Sequence, residues 1–401
     1  MYNNLIIDNK IEPNIGKQKL LSFTIVYMLS FLCLLNCVNA ITGTVLGIQT
    51  NLDTAILYIL MFVLVFASLL RTVFSDNLKT DVVLLFFFWV VAFFMTYILF
   101  PDNLEYINNS LEDYAENSYY ILFIYSVPAY IFIRYLDTFE YFEKYLKLFS
   151  YIVVTISVIV YFFAADSSAN QYMTLSYNML LQLFYLCLNI PKKHKIWHYI
   201  VTGMGLFVLI FGGARGPLVG LMVGIVINIL FKQDDKNKRS FYIFFLVLFA
   251  VVFLFLYRSI LEFIYNLLVS WDIESRTLEK LLFEEGDLSS GRFDIYKSII
   301  DEISVFGKGL FSDRVILGNR YVHNLFLEWL SNFGIVGGGC LSIGFITLFI
   351  KTLKKNRHSN WIFFLLLIPN GLVGLLFSSS YLLQNPWFYA MLGFMINISE
   401  D

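Results

Sequence analysis

Charge is scarce in this chain: Asp, Glu, Lys and Arg make up 14% of its 401 residues, whereas soluble domains carry roughly 25%. An ordinary soluble fold is therefore excluded. Cysteine is scarce too, and the four cysteines lie in apolar runs without a C-x-x-C pair or a histidine cluster, which gives no support for a disulfide framework or a zinc site. The motifs G-x-x-x-x-G-K-[ST] and, after a strand, G-x-G-x-x-G are also missing, so we predict no nucleotide site and no ATP-driven step.

Apolar runs dominate the chain instead, with 58% hydrophobic and 18% aromatic residues. A membrane-spanning helix needs about 20 mostly apolar residues. We therefore predict an all-α polytopic membrane protein, in which spans over 1–257 and 325–401 flank one large helical loop at 258–324. The predicted transmembrane helices, about twelve, lie near 20–38, 54–70, 81–100, 118–134, 146–164, 172–190, 197–213, 217–231, 241–257, 325–350, 361–379 and 385–398.

The distribution of Lys and Arg predicts the orientation, because cytoplasmic loops carry an excess of both. With the N-terminus inside, most of the 28 basic residues fall in cytoplasmic segments. The remaining ones are Arg215 and those of the loop 258–324, and no Lys or Arg occurs in the other outside segments, 39–53, 101–117, 165–171 and 380–384. Both termini are then cytoplasmic, and Arg215 shares the extracytoplasmic face with the large loop.

One arginine interrupts two apolar runs in the stretch FGGARGPLVG, residues 211–220. Gly216 can serve as an N-cap and Pro217 suits the first helical position, so we predict that a helix begins at Arg215-Gly216-Pro217. Unpaired N–H groups and the positive end of the dipole attract anions to a helix start. Arg215 therefore indicates a phosphate site, with the glycines as room for the anion. An interfacial arginine that snorkels to lipid headgroups is the alternative.

The segment GDLSSGRFDIYKSIIDEI, residues 286–303, repeats this placement of a cation. Ser289 or Ser290 can cap a helix, and Arg292 falls in its first turn, the unfavourable end for a positive charge. Helical spacing predicts an apolar face made by Phe293, Tyr296, Ile300 and Ile303. Arg292 is thus a second candidate for an anion site, and the alternative is a solvated loop residue.

The segment GNRYVHNLFLEWLSNFGIVGG, residues 318–338, leads into the tenth predicted span. Asn324 can cap that helix, which places His323 at the outer membrane surface, near Arg320. An imidazole with a pKa of about 6.5 suits a proton acceptor, although a lone histidine is more often structural. Glu328, about one turn further on, is a rival base, or a group that orients the histidine or the substrate.

The rest of the loop is less informative. Residues 259–285 indicate amphipathic helices on the membrane surface. We predict that Arg276, Lys280 and Arg314 are solvated charges. No His, Asp and Glu cluster has metal-ligand spacing, so no metal site is predicted. Four loop aromatic residues can stack on sugars or pack on the membrane, with packing favoured: Trp271, Phe293, Tyr296 and Tyr321.

Taken together, three features resemble the bacterial O-antigen polymerase and ligase superfamily, the Wzy-like and WaaL-like membrane glycosyltransferases. The first is an arginine in a small-residue turn before the large loop, and the second is an arginine that opens a loop helix. The third is an H-N-x-[FY]-L-x-x-L run followed by glycines. In this sequence they are Gly213-Ala214-Arg215-Gly216, Gly291-Arg292-Phe293-x-x-Tyr296, and His323 to Leu330 with Gly334, Gly337 and Gly338.

The resemblance covers roughly residues 205–350, and it departs from the family at Ala214, where a serine is frequent. It implies a fold like that of the C-type glycosyltransferases and an enzyme of the bacterial cytoplasmic (inner) membrane. That enzyme transfers a glycan from undecaprenyl pyrophosphate to a hydroxyl of an acceptor glycan, without metal, nucleotide or other cofactor. Its implied partners are the lipid-linked oligosaccharide as donor and acceptor, membrane lipid and a candidate chain-length regulator, with no nucleic acid.

The resemblance also implies roles for individual residues. Arg215 and Arg292 are expected to hold the pyrophosphate and to stabilise the charge that grows on it as the bond to the sugar breaks. His323 is expected to accept the proton of the incoming hydroxyl or to position that hydroxyl, and direct displacement would invert the anomeric centre. Further substrate contacts are expected at Arg320, Asn324, Glu328, Tyr296 and Gly216.

Three functions stay open at this stage. A polymerase of O-antigen or capsule repeat units is favoured by the diversity of such chains. A ligase that transfers the glycan to the lipid A core would use the same residues. A transporter or flippase for the lipid-linked oligosaccharide would need charges at mid-membrane depth, and this sequence has almost none there.

Overall fold

The computed structural model describes residues 14–45, 52–75, 77–108, 122–163, 169–191, 193, 195–211, 215–232, 262–263, 265–267, 269–270, 282, 291–318, 320–355, 359–383 and 385–400. These residues form helices and connecting loops without any strand, which confirms the all-α class. The helices are Ile15–Ala40, Leu52–Ser75, Thr80–Leu99, Leu104–Asn108, Val127–Arg134, Glu140–Phe163, Ala169–Asn178, Leu180–Leu188, Lys195–Phe211, Arg215–Lys232, Arg292–Asp301, Ser312–Ile316, Leu325–Lys354, Trp361–Ile368, Gly374–Phe377 and Pro386–Glu400.

Several of these helices are suited to a membrane. Within the described ranges, five are long and apolar enough to cross one: Ile15–Gly43, Thr54–Phe74, Thr80–Leu99, Glu140–Phe163 and Leu325–Lys354. Shorter apolar helices follow at Leu122–Arg134, Lys195–Phe211, Gly216–Phe231 and Trp361–Phe377. The chain is therefore a polytopic membrane protein. The count of twelve spans stays a prediction, and the span at 241–257 lies outside the described residues, as does most of 258–290.

The helix Ile15–Ala40 forms the packing centre. Most of its side chains are buried, and it contacts the helices Leu52–Ser75, Val127–Arg134 and Glu140–Phe163. Its backbone also receives hydrogen bonds from outside: the indole of Trp387 donates to the carbonyl of Leu29 at 3.1 Å. This buried indole thus finds a partner inside the protein, as the membrane interior favours.

A buried arginine joins three helices at the end predicted to be cytoplasmic. Arg134, 3% exposed, lies with its Nε 2.7 Å from Oδ2 of Asp81 and its Nη2 2.8 Å from Oε1 of Glu400. The Tyr130 hydroxyl donates a further hydrogen bond to Asp81. Opposite charges on both sides compensate the guanidinium for its loss of water, so this end of the bundle is fixed by charge as well as by packing.

The helix Leu325–Lys354 is broken at Gly334, which adopts φ 74° and ψ −176°; we call it the broken helix. The segment 304–309 binds the backbone groups that the break leaves free. The N–H groups of Ile335 and Val336 donate to carbonyl oxygens of that segment, each at 3.1 Å. The carbonyls of Ser331 and Asn332 accept from its N–H groups at 3.2 and 3.0 Å. Backbone groups at membrane depth need such internal partners, so the segment completes the broken helix.

The same segment is held from its other side by the helix Thr80–Leu99 and the turn after it. The side-chain amide of Asn103 donates to the carbonyls of Lys308 and Leu310, both at 2.8 Å. The hydroxyl of Thr96 accepts from the N–H of Leu310 at 2.9 Å. The chain between the Arg292–Asp301 helix and the broken helix is therefore fixed by backbone hydrogen bonds on both sides.

The close approach at Gly334 gives a stability prediction. A Cβ at this position would overlap the backbone of Gly307, and its positive φ adds strain of about 1–3 kcal/mol for a residue with a side chain. We expect Gly334→Ala to lower the thermal unfolding temperature of the purified protein in detergent. The matched control is Gly339→Ala in the same helix, where the added methyl group meets open space. Equal unfolding temperatures for the two variants would show that the break does not need glycine.

Candidate functional site

The first element of the site is the helix Arg215–Lys232, here the Arg215 helix. Arg215 is its first described residue, and the predicted helix start stays a prediction because residues 212–214 lie outside the described residues. Gly216 lies inside the helix, and so it is not the N-cap that the sequence predicted. The side chain of Arg215 lies outside the described part of the chain, as does Ala214.

Tyr177 packs on this helix start. A Cβ at Gly216 would overlap the Tyr177 hydroxyl, so the space that the sequence assigned to an approaching anion holds a tyrosine. The Tyr177 side chain lies beside Ser378, and the charge of Arg292 acts on it. No local sequence signal pointed to Tyr177, because its contact with Gly216 joins two separate helices.

The second element is the helix Arg292–Asp301, with Arg292 in its first turn as predicted. The residue that precedes it is Gly291, with φ 76° and no side-chain cap; Ser289 and Ser290, predicted as caps, lie outside the described residues. The predicted apolar face is not the face that docks on the rest of the protein. Ile299 is fully buried, whereas Phe293 is 75% exposed and Ile300 is exposed. The helix docks through Ile299 because the broken helix packs on that side.

The third element is the turn before the broken helix, which carries His323. Asn324 caps that helix as predicted, since its side-chain oxygen accepts from the N–H groups of Phe326 and Leu327 at 3.1 and 3.2 Å. His323 has φ 54°, and its ring lies against that of Tyr321 with centroids 4.0 Å apart. The Nδ1 atom is buried and has no hydrogen-bond partner among the described residues.

The protonation of His323 follows from its surroundings. Burial together with the charges of Arg292 and Arg314 lowers the pKa of His323 to about 4, well under its ordinary value. The imidazole is therefore neutral near pH 7, and an unpartnered Nδ1 can accept a proton or a hydrogen bond. Arg292 and His323, which the sequence placed in separate motifs, are thus brought within electrostatic range of each other.

Polar contacts also connect His323 with the start of the Arg215 helix. The Tyr321 hydroxyl donates to the carbonyl of Ser378 at 3.0 Å, and Ser378 is the residue that contacts Tyr177. The path from Gly216 through Tyr177, Ser378 and Tyr321 to His323 therefore consists of direct contacts. Arg320, by contrast, is exposed, and Tyr296 is half-buried; no described contact joins either of them to His323.

Arg314 is buried, so its prediction as a solvated charge is wrong. Its Nη1 lies 2.9 Å from Oδ1 of Asp313 and 3.3 Å from Oε1 of Glu328, and its Nη2 donates to the Ser380 hydroxyl at 2.9 Å. Two carboxylates offset the desolvation of the guanidinium, and the neighbouring charges raise the pKa of Arg314 against the opposing effect of burial. The adjacent Asp313-Arg314 pair was the one sequence signal of this network.

Glu328 belongs to the same network. It is fully buried, its Oε1 accepts from Ser380 and Arg314, and its Oε2 has no hydrogen-bond partner within the described ranges. The carboxylate therefore faces Arg314. This geometry favours the predicted alternative in which Glu328 orients other groups.

Metal ligands do not gather here: among the described residues, no group of three His, Cys, Asp or Glu side chains could hold a metal ion. The charged groups that act on the neutral His323 are instead the two arginines Arg292 and Arg314. Such an arrangement suits the binding of an anion next to a proton acceptor.

Comparison with known proteins identifies the class. Residues 200–342 match the O-antigen ligase family, Wzy_C, and this segment contains all three motifs. The match confirms the predicted O-antigen polymerase and ligase superfamily and supports a polymerase- or ligase-type role in polysaccharide assembly. No curated protein and no solved structure matches the chain. Tyr177, Ser378 and Ser380 lie outside the matched segment, so the site also draws on helices that the family model does not cover.

The packing of Tyr177 on Gly216 gives a second prediction. Gly216→Ala forces the tyrosine out of place, and overpacking of this kind typically costs about 1–3 kcal/mol. We expect a lower thermal unfolding temperature for Gly216→Ala and no such loss for Gly203→Ala, where the added methyl group meets open space. Combined with Tyr177→Ala, Gly216→Ala should have no further effect. An equal loss with and without Tyr177 would show that the contact is not the cause.

Proposed function

We propose that the protein polymerises the lipid-linked repeat units of a surface polysaccharide, O-antigen or capsule. The growing glycan passes from undecaprenyl pyrophosphate to a hydroxyl of an acceptor repeat unit, at the extracytoplasmic face of the bacterial inner membrane, with both termini in the cytoplasm. The observation that carries the proposal is the buried, unpartnered Nδ1 of a neutral His323, held beside Arg292 and connected to the start of the Arg215 helix.

The charges of the site support a pyrophosphate as the bound group. Arg314 is neutralised by Asp313 and Glu328, whereas within the described ranges no carboxylate forms an ion pair with Arg292. Arg292 is thus available to an anion from outside the chain. Arg215 and Arg292 together provide two guanidinium groups, and the proposed helix start at Arg215 adds backbone N–H groups. Both kinds of donor suit phosphate oxygens.

The reaction proceeds by direct displacement. The acceptor hydroxyl oxygen forms a bond to the anomeric carbon, and the bond from that carbon to the pyrophosphate oxygen breaks, so undecaprenyl pyrophosphate leaves and the configuration inverts. The hydroxyl proton passes to Nδ1 of His323. An anionic donor beside the histidine favours its protonated form and so offsets the effect of the arginines. Arg215 and Arg292 stabilise the negative charge that grows on the leaving group.

Several residues support these steps. Arg320 and Tyr296, at the margin of the site, are proposed to contact the glycan. Asn324 fixes the helix start beside His323 through its cap, and Gly216 leaves space for Tyr177 next to the anion. A chain-length regulator remains a proposed partner.

The second candidate is a ligase that uses the lipid A core as acceptor, which the description of the matched family favours. Both enzymes use the same donor and the same three residues, and they differ in the acceptor alone. We favour the polymerase because repeat units differ in their sugars, so enzymes that accept them diverge more than enzymes that meet a shared core.

The decisive assay combines the purified protein with a lipid-pyrophosphate-linked oligosaccharide. We expect free undecaprenyl pyrophosphate and chains of several repeats. Arg215→Ala, Arg292→Ala and His323→Ala should each reduce turnover by about 10- to 100-fold, since hydrogen bonds to charged groups contribute about 1.5–3 kcal/mol. The matched control is Lys308→Ala, a part-exposed cation of the same loop that pairs with Glu302. Wild-type turnover in the arginine variants would overturn the proposed clamp.

A deletion strain separates the two acceptors. Loss of a polymerase leaves a single repeat attached to the surface anchor, because the first transfer still occurs. Loss of a ligase leaves no repeat there at all. The ladder of surface polysaccharide on a gel therefore decides between the candidates, and an unchanged ladder would contradict both.

A further inference from the structure

Asp313, Arg314 and Glu328 form a buried ionic unit that the proposed reaction does not use. Arg314 is 7% exposed, and both carboxylates are fully buried. Removing charges from water costs several kcal/mol per ion, and a buried ion pair often gains no net stability over apolar residues. The unit is therefore poorly explained by stability alone.

The unit is attached to the turn that carries His323. Oδ2 of Asp313 accepts from the N–H of Val322 at 3.1 Å, directly before the histidine. The guanidinium of Arg314 lies over the ring of Tyr321, 5.8 Å from its centroid, and that ring contacts the ring of His323 at an interplanar angle of 50°. A hydrogen bond and a cation–π contact thus reach both residues that precede His323.

The turn needs such support because its backbone is strained. His323 has φ 54°, a conformation that costs of order 1–3 kcal/mol and persists only where the surroundings enforce it. The unit also reaches across the fold: Arg314 and Glu328 both bond Ser380, whose hydroxyl in turn accepts from the N–H of Leu382 at 3.2 Å. The turn, the broken helix and the segment near Ser380 are therefore held in one geometry.

The unit also acts on His323 through charge. The charged groups that act on this histidine are Arg292, from the helix Arg292–Asp301, and Arg314. Asp313 and Glu328 pair with Arg314, and the neutral ring of Tyr321 lies against the imidazole. A nearby cation disfavours the protonated imidazole.

We infer that Asp313, Arg314 and Glu328 are positioning residues that hold the Tyr321–His323 turn, and with it Nδ1 of His323, in place without touching the substrate. The inference rests on the proposed function only in taking His323 as the proton acceptor. Its test therefore includes a measurement on His323 that needs no turnover.

The experiment compares wild-type protein, Arg314→Lys, the double variant Arg314→Met with Glu328→Gln, and the control Lys308→Met. Turnover of the lipid-linked oligosaccharide gives kcat and KM. Labelling of His323 by diethyl pyrocarbonate, which attacks neutral imidazole, is followed by peptide mass spectrometry over about pH 5 to 8, the range in which an ordinary histidine titrates. Only monodisperse protein from size-exclusion chromatography is assayed.

Arg314→Lys keeps the charge but cannot bond Asp313, Glu328 and Ser380 together. We expect kcat to fall by about 100-fold, the scale of a 1 Å misplacement, with KM little changed and the labelling profile as flat as in wild type. The double variant removes the cation together with the contacts that hold the turn, so His323 should be labelled faster than in wild type across this pH range, while burial and Arg292 still keep its pKa low. The Lys308→Met control should match wild type in both measurements.

Wild-type kcat in Arg314→Lys, or a wild-type labelling rate in the double variant, would overturn the inference. If the double variant does not fold, kcat of Arg314→Lys decides. If wild-type protein transfers no glycan while the labelling rate of the double variant rises as expected, the positioning unit stands and the proposed function fails. The two ideas are thus separable in one set of samples.

Discussion

The break in the helix Leu325–Lys354 is the constraint on which the site depends. At Gly334 the helix leaves backbone groups without intrahelical partners, and buried backbone groups need hydrogen-bond partners. The segment 304–309 supplies the missing hydrogen bonds. Because that segment joins the Arg292 helix to Asp313-Arg314, its attachment fixes the position of both arginines. Thr96 and Asn103 hold its other side. The positions of the cations around His323 therefore follow from a requirement of the backbone.

The arginines of the protein fall into two groups by their partners. Arg134 and Arg314 are buried, and each is flanked by two carboxylates, so their charges are balanced inside the fold. Arg292 is half-buried and acts on a histidine, and in the described part of the chain no carboxylate pairs with it. A cation left unbalanced beside an unpartnered imidazole is poorly suited to stability. It suits an anionic ligand, which would supply the missing charge.

What the sequence predicted correctly depended on neighbouring residues. The apolar runs, the helix start at Arg292 and the cap at Asn324 are all local patterns, and the structure confirms them. The errors concern tertiary contacts. Arg314 was predicted to be solvated because the sequence around a loop arginine does not show whether a carboxylate distant in the chain forms an ion pair with it. Ile299, through which the Arg292 helix docks, is not part of the apolar face predicted from the spacing, since the helical period alone does not say which side docks.

The low basicity of His323 is consistent with the proposed transfer once the donor is included. Without the donor, burial and the charges of Arg292 and Arg314 keep the imidazole neutral and a weak base, with a pKa of about 4. A bound pyrophosphate brings negative charge to the same place, which compensates the arginines and raises the affinity of Nδ1 for a proton. In the proposed function, His323 would then be a competent proton acceptor only when the donor is bound. Electrostatic coupling of this kind would link removal of the hydroxyl proton to occupancy of the donor site. The arginine charges that bind the donor would also keep the site inactive while it is empty.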